Sequence, residues 1–149
     1  MSDISFLKQT KSVHVIGAGL NQERPAHKAF IDMKGRGYRM VPVHPRDAGS
    51  TIQGVPILPH PWASNDPELF VIFLSPERTL GLLRKWVVAN RNAPFIWLQP
   101  GAESDDVLEF LNEAGIPHSS GKCWVVTCIQ NDISCEDPLP KLPWVLQTT

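Results

Sequence analysis

Val13-His14-Val15-Ile16 is a β-prone run that stops at Gly17-Ala18-Gly19, and after a short polar loop Pro25 opens a helical pattern. Few folds accommodate such a segment. The apolar run reads as a buried strand entering a tight turn. Pro25 suits a first helical position, because the N–H it lacks would have no intrahelical partner there. Ala26, Ala29, Phe30 and Met33 then recur on one helix face, and Gly35 and Gly37 end the helix. A second β-prone run, Tyr38 to Val43, closes on His44-Pro45. Strand, turn, helix and strand within about 30 residues is the size of a βαβ unit. A parallel strand pair with a helix across one face follows.

The rest of the chain repeats the alternation. Arg46 to Pro67 carries Pro56, Pro59, Pro61 and Pro67 and reads mainly as loop, with a short extended piece at Val55 to Leu58. Leu69 to Leu74 is continuously apolar, as in a strand covered on both faces. Ser75-Pro76 starts a helix with a capping hydroxyl and a proline at its first position, and Leu80, Leu83, Trp86 and Val87 form its apolar face. Phe95 to Leu98 is a further strand. A helix from Glu103 to Ala114 buries Val107, Leu108 and Leu111 ahead of Gly115, and Ile116 to Ser119 is a last short strand. The order predicts an α/β class domain: a Rossmann-like three-layer fold around a parallel sheet of about five strands. That domain is expected over residues 1–127. Residues 128–149, with the proline-rich stretch Asp137 to Trp144, read as an irregular tail that drapes over the domain or joins subunits of a homo-oligomer.

Composition narrows the function classes. A length of 149 residues suits one core. The 14 basic and 15 acidic residues, for a net charge of −1, do not form the basic footprint of a nucleic-acid binder. A phosphate site must therefore arise from local arrangement. Met1 to Ser12 is mostly polar, too short of apolar residues for a signal peptide or membrane span, so a cytoplasmic protein without a membrane partner is expected. Cys123, Cys128 and Cys135 form no C-x-x-C pair and read as reduced thiols.

Ligands of open parallel sheets bind beyond the carboxyl ends of the strands. Here those ends carry Gly17-Ala18-Gly19, His44-Pro45-Arg46, Ser75-Pro76 and Gln99-Pro100-Gly101-Ala102. A Gly-x-Gly turn ahead of a helix lets backbone N–H groups meet a phosphate, and Arg24 and Lys28 add charge. The dinucleotide fingerprint is incomplete: Gln22 occupies the third glycine position, and His44 stands where an acid would hold a ribose diol. Arg46 suits a phosphorylated ribose; a solvated surface arginine is the alternative.

No catalytic set emerges. The five histidines lack metal-ligand spacing, and neither a nucleophile elbow nor a P-loop is present. His14 reads as a packed strand residue. Asp105-Asp106 and Glu136-Asp137 read as capping or solvated groups. Cys123, beside Lys122, is the best nucleophile candidate, but a thiol reacts only where its pKa is lowered. No catalytic residue or metal ligand is assigned.

Several segments together carry a resemblance. They are Val13 to Gly19, Glu23-Arg24-Pro25, Gly37 to Pro45, Ile52 to Pro56, Ile96 to Gly101, Glu113 to Ile116 and Lys122-Cys123. Over roughly residues 10–127 the chain resembles the CoA-binding domain family, relatives of the N-terminal domain of the succinyl-CoA synthetase α subunit. The resemblance implies coenzyme A lying across the strand ends. Its pyrophosphate would lie on Gly17, Ala18, Gly19 and Leu20, near Arg24, Pro25 and Lys28. Its adenosine end would lie by Val43, His44, Pro45 and Arg46, with further contacts from Leu74, Ser75 and Pro76. The chain departs from the family pattern at His44, where asparagine is usual, and at Ser75, where a basic residue is common. The synthetase domain bearing a phosphorylated histidine has no counterpart in the sequence, so synthetase turnover is not expected of it. The leading expectation is a CoA or acyl-CoA binding protein without catalysis of its own. An NADP-type oxidoreductase and an interaction domain with a lapsed site are the alternatives, and Gln22 counts against NADP.

Overall fold

The computed structural model of the chain describes residues 3–61, 68–89 and 94–134. Among the described residues, elements run in the order α1 (Asp3–Gln9), β1 (Ser12–Ile16), α2 (Pro25–Lys34), β2 (Arg39–Val43), β3 (Thr51–Ile52), β4 (Val55–Pro56), β5 (Leu69–Ile72), α3 (Pro76–Ala89), β6 (Phe95–Leu98), α4 (Asp105–Glu113), β7 (His118–Ser119) and α5 (Trp124–Gln130). Five strands form one sheet in the order β2-β1-β5-β6-β7, and every pairing in it is parallel. The chain is thus a Rossmann-like α/β fold, as the alternation of elements predicts.

Strand side chains alternate between the two faces of the sheet, and each face has its own core. Val13, Val15, Leu69, Val71 and Trp97 join Leu7, Phe30, Met33, Trp124 and Cys128 on the face covered by α1, α2 and α5. Ile16, Phe70, Ile72, Ile96 and Leu98 join Leu83, Val107 and Leu111 on the face covered by α3 and α4. These strand residues are 0–2% exposed, which explains runs that read as continuously apolar. Trp86 and Val87, expected on the apolar face of α3, lie outside the described side chains.

Element ends follow local chemistry. Ser104 caps α4, its Oγ accepting the Val107 N–H at 3.2 Å, so this helix starts two residues after the expected Glu103. Gly115, at φ +68, takes the left-handed position that follows the helix. Ser75 Oγ accepts the Arg78 N–H at 3.4 Å, as the Ser-Pro start of α3 implies.

Three features differ from the sequence reading. The polar N-terminus forms α1, anchored by fully buried Leu7 and by Phe6 stacked on Phe95 at 4.5 Å between ring centroids. The expected loop after β2 contains the antiparallel β3–β4 hairpin. It turns on Gln53 at φ +50 and Gly54 at φ +80, a two-residue turn with both central residues left-handed. Past Thr127, α5 continues to Gln130, and Ile133 is buried in the first core. The proline-rich stretch lies outside the described residues.

Candidate functional site

Between β1 and β5 the strand order reverses: the chain leaves β1 for β2 at the edge, then returns across β1 to β5. Helices on either side of such a point diverge, which opens a crevice at the strand ends. Register makes those ends level. Ile16 pairs with Val43 on one side and Ile72 on the other. One residue further, the Gly17 N–H donates to Val43 O at 2.8 Å and the Phe73 N–H to Ile16 O at 2.9 Å. Gly17 to Leu20 therefore sits centrally, with the β2 loop on one side and the β5 end on the other.

Both glycines of the turn answer to packing. Gly17 adopts φ +108, and a Cβ there would lie 2.9 Å from the Phe73 carbonyl oxygen. A side chain at Gly19 would meet the Asp47 carboxylate and would stand 2.7 Å from the His44 ring. The backbone of the turn is consequently drawn tight against both neighbouring strand ends. His27, on the buried side of α2, holds it from the third direction: Nδ1 lies 2.7 Å from Gly19 O.

The β2 loop reaches into the turn by way of Asp47. Its Oδ2 accepts the Leu20 N–H at 2.8 Å. Its own N–H donates to His44 Nδ1 at 3.1 Å. That bond requires an Nδ1 without a proton, so the ring in this arrangement is neutral and carries its hydrogen on Nε2. The 3.6 Å separation of Nδ1 from Oδ2 is then not an ion pair. Arg46, expected to meet a ribose phosphate, stands exposed on the same loop.

The start of α2 supplies donors of its own. Arg24 is its N-cap, in extended conformation, with no side-chain bond to the first turn, and Pro25 occupies the first helical position. Unpaired N–H groups and the positive end of the helix dipole face the loop from Asn21 to Arg24. No acceptor meets the Ala18 or Gly19 N–H among the described residues. Beside the turn, a groove of about 600 Å³ runs between α2 and the hairpin, lined by Leu20, His27, Lys28, Ile31, Ile52 and Gln53 among others. Lys28 and Leu20 both line it.

At the β5 end, Leu74 packs into the second core and Ser75 caps α3, so both are engaged by the fold. Arg78 stands exposed in the first turn of α3. At the β6 end, the Gln99 side chain is 6% exposed and bridges to α5. Its Oε1 accepts the Trp124 N–H at 2.6 Å and its Nε2 donates to Cys123 Sγ at 3.3 Å. The second thiol, Cys128, is buried, and desolvation pushes it up to about 11 against a partial offset from Tyr38. His14, read as packed, is buried against Phe70, and burial followed by the charge of Arg39 brings it down to about 4. Among the described residues no group of three His, Cys, Asp or Glu side chains converges as metal ligands. No helix among them is long and apolar enough to cross a membrane.

Asp47 and His27 are not singled out by sequence reasoning, which names Gln99 only as part of a strand-end turn. His27 carries a faint signal, a polar residue inside an apolar helix face. Asp47 carries none, because its partner is 27 residues away on another strand end.

Comparison with known proteins identifies the family and the fold. The Bacillus subtilis protein YneT, itself uncharacterized, is 24% identical over 111 residues, 74% of this chain and 79% of that protein. A solved Thermus thermophilus protein, cell-free ID.343, is 30% identical with a TM-score of 0.77, over 87% of this chain and 98% of that one. A conserved hypothetical protein from Pyrococcus furiosus is 26% identical with a TM-score of 0.72, over 78% and 98% of the two chains. The sequence pattern described as the CoA binding domain matches residues 11–128, most of the chain and every strand of the parallel sheet. The chain belongs to the CoA-binding domain family.

Proposed function

We propose that this chain binds coenzyme A or an acyl-CoA at the carboxyl ends of β1, β2 and β5, and that it acts as a binding module with no reaction of its own. One observation carries the reading: the Leu20 N–H already donates to an anionic oxygen, that of Asp47, at 2.8 Å. The turn is built to present backbone donors to negative charge, the chemistry a pyrophosphate needs. In this reading the pyrophosphate lies along Gly17, Ala18, Gly19 and Leu20, over the α2 N-terminus, with Arg24 and Lys28 beside it. The adenosine end lies toward Val43, His44, Pro45 and Arg46, and Leu74, Ser75 and Pro76 close the β5 side. Family membership supports the ligand class.

Thermal unfolding tests it. A ligand that binds only the native state stabilises by RT ln(1 + [L]/Kd), about 2.7 kcal/mol at 100 times Kd. CoA raises the melting temperature, adenosine does so weakly, and NADP does not match CoA. No shift at millimolar CoA rules the assignment out. Arg46 has its own arm. Arg46→Ala costs CoA about 1–3 kcal/mol of affinity, the range for hydrogen bonds to charged groups, and leaves dephospho-CoA nearly unchanged. Equal losses for both ligands in calorimetry remove Arg46 from the site.

A further inference from the structure

We infer that Asp47 is an internal competitor for the phosphate position, so that an anionic ligand engages the glycine turn only after this carboxylate has left the Leu20 N–H. The inference rests on the reading of the turn as the pyrophosphate site and adds what regulates it.

Three features carry it. The Asp47 carboxylate occupies one of the donors that a bound phosphate would use, at 2.8 Å. Gly19 has no side chain to keep Asp47 away, and any Cβ there would meet that oxygen, so the approach is accommodated by the sequence of the turn itself. The charge of Asp47 is not cancelled locally: His44, the titratable group nearest to it, accepts the Asp47 N–H through Nδ1 and is neutral in that arrangement. Arg24, Lys28 and Arg46, the cations on the neighbouring elements, are all exposed. A phosphate arriving at the turn therefore meets a full negative charge within hydrogen-bond distance of its own site. Like charges at such separations exclude one another unless one moves or is neutralised.

Movement is open to it. The Asp47 side chain is 29% exposed, and it sits on a loop between Val43 and the β3–β4 hairpin. With the carboxylate swung out, the Leu20 N–H joins the donors of Ala18, Gly19 and the α2 N-terminus. Asp47 thus sets a threshold: weakly held anions such as single phosphates are turned away, and a ligand with several phosphate contacts displaces it.

The experiment measures inorganic pyrophosphate and CoA binding by calorimetry on the full chain and on Asp47→Asn and Asp47→Ala. Asp47→Asn keeps an acceptor of the same shape, which guards against loss of the loop. Removing the charge tightens pyrophosphate about tenfold, since a charge-assisted bond no longer has to be exchanged. CoA tightens by a similar factor, and adenosine, which has no phosphate, is unchanged. In amide spectra, Leu20 shifts in the variants, and pyrophosphate then moves it again. Equal pyrophosphate affinity in all three proteins overturns the competition, as does failure of every one to bind it. If pyrophosphate tightens in the variants while CoA binds none of them, competition stands and the CoA assignment falls. If CoA binds all three equally, the assignment stands and competition falls.

Discussion

Gly17 shows how much one residue can settle. Its φ of +108 and the 2.9 Å approach of a built Cβ to Phe73 O leave no room for another amino acid. Gly17→Ala is expected to destabilise the fold by about 1–3 kcal/mol, the cost of forcing a side chain into a sparsely populated backbone region. Urea unfolding monitored by tryptophan fluorescence measures it; an unchanged midpoint contradicts the packing argument. His14 is the second such residue. Its folded value is about 4, against 6.5 for an ordinary histidine. The unfolded chain therefore takes up a proton first on acidification. Stability from this group is complete above the ordinary value and is lost as pH falls from about 6.5 toward 4. The loss amounts to roughly 3 kcal/mol at the end of that window. His14→Leu should flatten this limb in unfolding series between pH 7 and 4. A wild-type slope retained by the variant would assign the acid sensitivity elsewhere.

At the scale of elements, the β6 end is joined to α5 by the Gln99 side chain, beside a bond from the Trp97 indole N–H to Lys122 O at 3.0 Å just ahead of the helix. Gln99 satisfies the Trp124 N–H of the first turn of α5 and touches the thiol of its N-cap, Cys123. Trp124 itself is fully buried, so its amide has no access to water. Gln99→Leu removes the acceptor and leaves that donor unpaired, at a cost of about 1–3 kcal/mol. Hydrogen exchange reports it locally: Trp124 and its neighbours in α5 lose protection, whereas β1 and β5 keep theirs unless the whole fold is lost. Uniform loss of protection would show that α5 does not open on its own. The α2 N-terminus follows a different rule. Its first turn has no side-chain cap, unlike that of α4 with Ser104, and the N-cap of α5, Cys123, likewise makes no side-chain cap bond.

For the molecule as a whole, the first core is assembled from distant parts of the chain. Leu7 from α1, Phe30 from α2 and Trp124 and Cys128 from α5 meet over the strands, and Ile133 closes the cluster. Ile133 also accepts two bonds from the Arg36 guanidinium, at 2.9 and 3.2 Å, through its carbonyl oxygen. A chain ended after Thr127 loses Cys128, Ile133 and that carbonyl together. It is expected to lose more than about 3 kcal/mol, since a buried aliphatic side chain alone accounts for roughly 2–5. Against the 5–15 kcal/mol typical of such domains, much of the cooperative transition should shift or broaden. A truncated protein with the full-length midpoint would show that residues after Thr127 are dispensable to the fold.

What the sequence determined by itself is whatever depends on neighbours along the chain. Apolar runs, the Gly17-Ala18-Gly19 turn, Pro25 and the Ser-Pro start of α3 are local signals, and together they specify a parallel sheet with helices on both faces. The strand ends that bear the candidate site follow from that order, and so do Gly17 to Leu20 and the segment Val43 to Arg46. Tertiary structure alone decided the rest. α1 is short, and it is a helix because Leu7 packs into the first core on one face of the sheet and Phe6 stacks on Phe95. Gln53-Gly54 is a weaker hairpin signal than Asn-Gly, and the hairpin is held by its flanks, where Ile52 and Ile57 are buried in the first core. The contact between Asp47 and Leu20 joins residues on two different strand ends. No periodicity or spacing encodes such a pairing, because it exists only once the register of β1 on β2 has brought Ile16 level with Val43.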